Sequence, residues 1–131
     1  MRQHPTPEFK SFAHAMIDAG VDIFHGHSAH IFQGIEIYKK RPILYDTGDF
    51  IDDYAIDEKL RNDQTFFFKI FINKENNKIH ITHIELFPCL INNVQVNHAV
   101  GDERMAIIKK MRMLCQEMDT LLNSDNKIII I

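Results

Sequence analysis

Cysteine is scarce. The only two, Cys89 and Cys115, form no CxxC pair and no metal-ligand spacing. Both sit among apolar residues, which predicts buried, reduced thiols rather than a disulfide. No apolar run approaches the ~20 residues that a membrane-spanning helix needs. The opening MRQHPTPEFK has no apolar stretch, so it does not read as a signal peptide, and a cytoplasmic location is the default expectation. Positive charge is not in excess. The formal net charge is −3, which argues against a nucleic-acid partner because phosphate binding wants a basic face. Repeats, low-complexity segments and linkers are absent, glycine and proline are few, and 131 residues make one domain.

What is present reads as an α/β (α+β) piece with two main helices and a mixed sheet. Phe9, Phe12, Ala13, Met16 and Ile17 share one helical face, which predicts a helix over 7–19 with Thr6 as N-cap and Gly20 as the stop. Val21 to Phe24 reads as a short buried strand, followed by a histidine-rich loop. Open α/β sheets place ligands at that end of a strand. Residues 35–38 and 43–45 read as a hairpin around Lys39-Lys40-Arg41-Pro42, and Asp46 to Asp49 as the loop that leaves it. Residues 51–64 are acidic and irregular, the reading of a solvated loop. TFFFKIFI (65–72) and IHITHIELF (79–87) predict a second hairpin, ended by Pro88. In the second strand His80 and His83 fall on opposite faces by simple alternation. A short strand is expected near 90–96, the longest helix over 102–122 and a last strand over 128–131. The run Phe66-Phe67-Phe68 and the methionines of the long helix read as packing.

The chemistry-bearing segment is Asp22 to His30. Of eight histidines, His25, His27 and His30 lie within six residues, and Gly26 lets the backbone turn between them. Imidazoles at such spacing can converge on one or two divalent cations. A pair of metals ~3.5–4 Å apart clamps phosphoryl oxygens and activates water, and needs carboxylates as well. Asp46 and Asp49, on the loop after the neighbouring strand, offer them. No HExxH and no Cys/His quartet is present, so spacing suggests a site and names no reaction.

The run from Phe12 to Tyr54 carries an ordered signature. It contains Ile17-Asp18-Ala19-Gly20-Val21-Asp22, then Gly26-His27-Ser28-Ala29-His30, then Gln33-Gly34-Ile35-Glu36-Ile37-Tyr38, then Gly48-Asp49-Phe50. This resembles the C-terminal portion of the CapA-like family of bacterial capsule and poly-γ-glutamate synthesis proteins, and the resemblance is expected to continue more faintly to the end of the chain, through the Asn92 to Val96 segment and the helix near Gly101. The resemblance implies a partial calcineurin-like metallophosphatase αββα sandwich, with residues 1–131 as the C-terminal part of that domain. It implies His27 and His30 as metal ligands for Mn, Fe or Zn, with Asp49 beside them in the catalytic group. His25 stands where members have an aliphatic residue and is read either as a neighbour that supports the ligands or as incidental, and Asp49 stands where many have Asn. The upstream half of full-length members, with its early Asp strand, Asn-Asn-His loop and His-Trp-Gly motif, has no counterpart here, and the chain has no tryptophan. Two readings follow. The full-length protein is a metal-dependent phosphohydrolase whose site this chain carries only in part. Alternatively, the chain is a non-catalytic split or remnant module that pairs with a separate N-terminal half or with itself.

Overall fold

The computed structural model describes all 131 residues. In chain order they form α1 (Pro7–Asp18), β1 (Phe24–His25), β2 (Ile35–Tyr38), β3 (Arg41–Leu44), β4 (Gln64–Glu75), β5 (Lys78–Asn92), β6 (Gln95–His98), α2 (Gly101–Gln116) and β7 (Lys127–Ile129). The fold is mixed α+β, with two helices and two sheets. The first sheet has the order β1-β3-β2, with β1 parallel and β2 antiparallel to β3. The second is antiparallel, order β4-β5-β6, and β7 joins β5.

Alternation along β3 sorts the core into two layers. Ile43 and Tyr45 face α1, where they enclose Ala13 and Ile17. Leu44 faces the other way, into a larger core with Phe32, Phe66, Ile84, Leu86, Ile128 and the α2 residues Ile107, Met111 and Leu114. The first sheet is therefore covered by α1 on one side and by the second sheet with α2 on the other, a partial α/β sandwich. No helix is long and apolar enough to cross a membrane.

Helix α1 starts as its sequence dictates. Thr6 Oγ1 accepts a hydrogen bond from the Phe9 N–H at 3.2 Å, and Pro7 fills the first turn. The expected apolar face is only half used. Ala13 and Ile17 are buried, whereas Phe9 and Phe12 remain 60% and 56% exposed. The sheet beneath has strands of two to four residues, too short to cover the whole helix. Phe12 reaches only the edge of Phe24, centroid to centroid 6.0 Å.

Four other expectations are corrected. The strand expected at Val21–Phe24 forms at Phe24–His25, on the edge of its sheet, and is only partly buried. Pro88 does not end its strand: β5 continues to Asn92. The Pro88 carbonyl accepts from Ala99 N–H at 3.0 Å, beyond the residues that pair with β7 and before those that pair with β6. In a strand the N–H and C=O of one residue point the same way, so the missing donor falls on the Ala99 side, just past the last pair with β6 (Cys89 with His98), where the ladder has ended. A bulge at Thr82 brings the cross-strand partners of His80 and His83, Asn73 and Phe71, to one face, so both histidines share it. His83 stacks on Phe71 at 4.0 Å, and His80 stays exposed. Helix α2 stops at Gln116 rather than 122, because Asp119 takes a left-handed conformation (φ 55) and Thr120 N–H bonds back to Cys115 C=O. Leu122 still reaches the core, while Leu121 is 78% exposed.

Both cysteines are free and buried, Cys115 fully. Burial pushes the Cys115 thiol from 9.0 up to about 11. A thiol reagent is expected to label neither cysteine in the native protein and both after denaturation. Because the folded thiol titrates later than the unfolded one, its share of stability is intact below pH 9.0 and declines as pH rises toward about 11. A pH-dependent unfolding series in which Cys115→Ala keeps the same alkaline slope would refute this assignment.

Close backbone approach sets the second expectation. A Cβ on Gly34 would lie 2.5 Å from the Leu114 carbonyl oxygen, so α2 sits against the loop before β2 only because this residue has no side chain. Gly34→Ala should destabilise by about 1–3 kcal/mol, read as a lowered urea midpoint with an unchanged slope.

Candidate functional site

Two loops meet at the end of the first sheet, residues 26–34 after β1 and residues 45–50 after β3. Gly26 N–H donates to Leu44 C=O at 2.8 Å, and a Cβ on Gly26 would stand 2.1 Å from the Tyr45 carbonyl oxygen. Only glycine permits the first loop to lie this close to the second.

Asp46 joins the two loops. Its carboxylate is buried, with Oδ2 accepting from Ala29 N–H at 2.7 Å and Oδ1 from Gly48 N–H at 2.8 Å. Its carbonyl accepts from Gln33 N–H at 3.0 Å. One acceptor site on each carboxylate oxygen is thus taken by backbone, so Asp46 shapes the site by tying the two loops together. Ser28 (φ 85) and His30 (φ 64) are held in the left-handed region, a conformation that non-glycine residues adopt at a cost.

The three histidines of the loop go to different surroundings. His30 Nδ1 lies 3.0 and 3.2 Å from the two carboxylate oxygens of Asp49, and its ring meets Tyr54 edge-on with centroids 5.2 Å apart. The Asp49 contact uses Nδ1 and leaves Nε2 for another partner. His27 is exposed, with Nδ1 2.7 Å from Ser28 Oγ. It lines a cavity of about 440 Å³ together with Met1, His4, Phe9 and His25, and neither His30 nor Asp49 reaches that cavity. His25 Nε2 pairs with Thr47 Oγ1 at 3.0 Å, which makes it part of the loop packing.

Burial is the largest influence on Asp49 and raises its carboxyl above the usual carboxylate range. The His30 ring opposes that rise, and the neighbouring Asp52 carboxyl adds to it. Asp52 Oδ2 is itself buried without a hydrogen-bond partner. Nowhere in the chain do three or more histidine, cysteine, aspartate or glutamate side chains gather as a set able to hold a metal ion. The chain thus supplies one carboxylate-backed imidazole and a second imidazole nearby in sequence, a partial donor set.

Glu36 was overlooked in the sequence. It pairs across the sheet with Ile43, on the face that meets α1. There Tyr45 OH donates to Glu36 Oε2 at 2.6 Å, and His14 Nε2 lies 2.7 Å from Oε1. A glutamate between Ile35 and Ile37 in a strand covered on both sides was the available signal, since a buried carboxylate demands partners.

Asp46→Ala strands two backbone donors, and about 3 kcal/mol or more of stability should be lost. Amide exchange at Ala29 and Gly48 should accelerate more than elsewhere, and unchanged protection at both would show that Asp46 does not hold the loops.

The comparisons with known proteins fall on this same stretch. Residues 1–54 match the family described as bacterial capsule synthesis protein PGA_cap. Over 44 residues, 34% of this chain, it is 59% identical to a probable polyglutamine synthesis accessory protein of Mycobacterium tuberculosis, of which the match covers 12%. Over 49 residues, 37% of this chain, it is 43% identical to the capsule biosynthesis protein CapA of Bacillus anthracis and 41% identical to the PGA biosynthesis protein CapA of Bacillus subtilis, covering 12% and 13% of them. The chain therefore spans only a small part of the length of these relatives, and the family match stops at Tyr54, short of the fainter likeness expected to the C-terminus. His27, His30 and Asp49 all lie inside the matched stretch, and over residues 1–54 this chain is similar to the bacterial capsule synthesis family PGA_cap.

Proposed function

We propose that this chain contributes part of a divalent-metal pocket to a protein of capsule or poly-γ-glutamate production, with His27 and His30 as ligands and Asp49 holding His30 in place. The observation that carries this reading is the His30–Asp49 contact at 3.0 Å, made through Nδ1. Histidines that bind metals commonly give their second ring nitrogen to a carboxylate, which fixes the tautomer and raises the basicity of the ligating nitrogen. The left-handed backbone at Ser28 and His30 supports it, since strain of this kind gathers at functional loops. The names of the relatives supply the setting, capsule and polyglutamate synthesis.

The residues present fit such a metal in part. Two imidazoles and one orienting carboxylate are a fragment of a donor set, and further ligands have to come from polypeptide outside these 131 residues. Mn, Fe or Zn held there would polarise a phosphoryl oxygen and lower the pKa of a bound water, as phosphohydrolase chemistry requires. This chain's own share is to point His30 Nε2, restrain the loop through Asp46 and seat Asp49 in a partly desolvated position.

A second reading is a non-catalytic module that works by pairing. It is favoured by the free edge of β4 and by the exposed Phe67, Ile72 and Ile129 on the second sheet. The partner on this reading is the upstream half or a second copy.

Cobalt(II) titration of the full chain, followed by its visible absorption, separates the two. A metal role predicts a complex lost in His30→Ala and weakened about 10–100-fold in Asp49→Asn. Cobalt binding indifferent to both His27→Ala and His30→Ala would sink the metal reading, and sedimentation of the same chain as a stable dimer would then favour the pairing module.

A further inference from the structure

Strand β4 is the longest open edge in the molecule. It runs from Gln64 to Glu75, pairs with β5 on one side and has no strand on the other. The direction of its backbone groups follows from β5. Thr82 C=O accepts from Ile130 N–H, Leu86 N–H donates to Asn126 C=O and Pro88 C=O accepts from Ala99 N–H, so these residues of β5 face away from β4. His83, Glu85 and Phe87 between them face β4, opposite Phe71, Lys69 and Phe67. The extra residue of the bulge is on β5, so alternation along β4 is unbroken. Phe68, Ile70, Ile72 and Lys74 therefore turn their N–H and C=O groups to the open edge.

The charges on this edge complement themselves. Lys69, Lys74 and Glu75 take part in none of the chain's ion pairs. When two copies of one strand pair antiparallel about a two-fold axis, outward-facing backbone must meet outward-facing backbone, so the axis falls on a residue and not between two. An axis at Lys69 or Lys74 sets a lysine against its own copy, which repels. An axis at Ile70 or Phe71 leaves Lys69 opposite Phe71 or Asn73, and Lys74 opposite Phe66 or Phe68 on the core side. An axis at Ile72 sets Lys69 against Glu75 at both ends, on the same face of the sheet. Ile72, 54% exposed in the single chain, then meets its own copy, with Ile70 of the other strand diagonal to it.

We propose that the open edge of β4 is a self-association surface, on which two copies of the chain pair antiparallel over residues 69–75 about a two-fold axis at Ile72. The inference rests on the pairing reading above and names its partner, a second copy, and the register. Main-chain bonds between the two Ile72 residues, and between Ile70 and Lys74 at either end, supply the attraction common to added strands. The two Lys69–Glu75 pairs choose the register, and the lysines that blunt the edge exclude its competitors. A two-fold contact closes on itself, so growth stops at the dimer. Seven residues a side is fewer than the roughly 20–30 of a standard interface, so the dimer is reversible and concentration-dependent.

The test is sedimentation equilibrium of the full chain over a range of concentrations at low salt, where a monomer–dimer equilibrium is expected. Lys69→Glu alone and Glu75→Lys alone should each weaken the dimer by about tenfold or more, since each sets like charges opposite at both ends. An equimolar mixture of the two variants should dimerise again, because every glutamate then meets a lysine. A variant damaged in its own fold is not rescued by mixing. Lys69 lies opposite Glu85 in its own sheet, so Lys69→Gln, alone and mixed with Glu75→Lys, is read instead should circular dichroism show that Lys69→Glu does not fold. The inference is overturned if the chain is monomeric at every concentration, if the folded variants dimerise as well as the parent, or if the mixture dimerises no better than either variant alone. The first outcome leaves the pairing reading with the upstream half as partner, and the other two leave it with a different surface. The cobalt titration decides between that reading and the metal, so the two fail separately.

Discussion

A single buried carboxylate organises the functional end of this molecule. Asp46 accepts hydrogen bonds from the backbone of both loops, Ala29 on one and Gly48 on the other. Bonds of this kind to a charged group contribute about 1.5–3 kcal/mol each, and leaving the buried donors unpaired costs a similar amount. The geometry of His30 follows from that link. Ala29 immediately precedes His30 and Gly48 immediately precedes Asp49, so holding the first pair holds the second pair face to face at 3.0 Å. Gly26, pressed against Tyr45, removes the remaining slack.

The same end depends on the layer behind it. Glu36 receives the Tyr45 hydroxyl and faces His14 of α1, which also stacks on Tyr38 at 3.9 Å. Burial is the main reason the Tyr45 hydroxyl is held well above the usual phenol range, so it remains a donor to that carboxylate. Helix, sheet and loop are thus joined by polar contacts and a small apolar cluster on one side of the first sheet and by the larger apolar core on the other. The stretch that matches the capsule synthesis family does not close its own core. Phe32 packs edge-on against Phe66 at 5.0 Å, Thr65 donates to the Thr47 carbonyl at 3.3 Å, and Gly34 lies under Leu114. The long antiparallel sheet and α2, which lie beyond the matched residues, form the wall on which the loop-bearing sheet rests.

Uneven coverage runs through the structure. Phe9 and Phe12 on α1 and Phe67, Ile72 and Ile129 on the second sheet stay exposed, while β1 and β4 end their sheets without a neighbour. Lys69 and Lys74 along β4 are residues of the kind that blunt an open edge.

Local patterns alone determined a good deal. The cap at Thr6, the hairpin alternation of 64–92, the apolar stripe that buries Ile107, Met111 and Leu114, the buried thiols and the Gly-His-Ser-Ala-His loop after a short strand all follow from side-chain chemistry within a few residues. Tertiary structure decided the rest, because the deciding partner was distant in sequence. Pro88 stays within its strand since its missing donor falls just beyond the end of the β6 ladder. His80 and His83 share a face since a bulge breaks simple alternation. His27 and His30 part company since Asp49, nineteen positions from His30, draws one ring away from the cavity that the other lines. Periodicity reports what a residue prefers among its neighbours; only packing brings together groups that lie tens of residues apart along the chain.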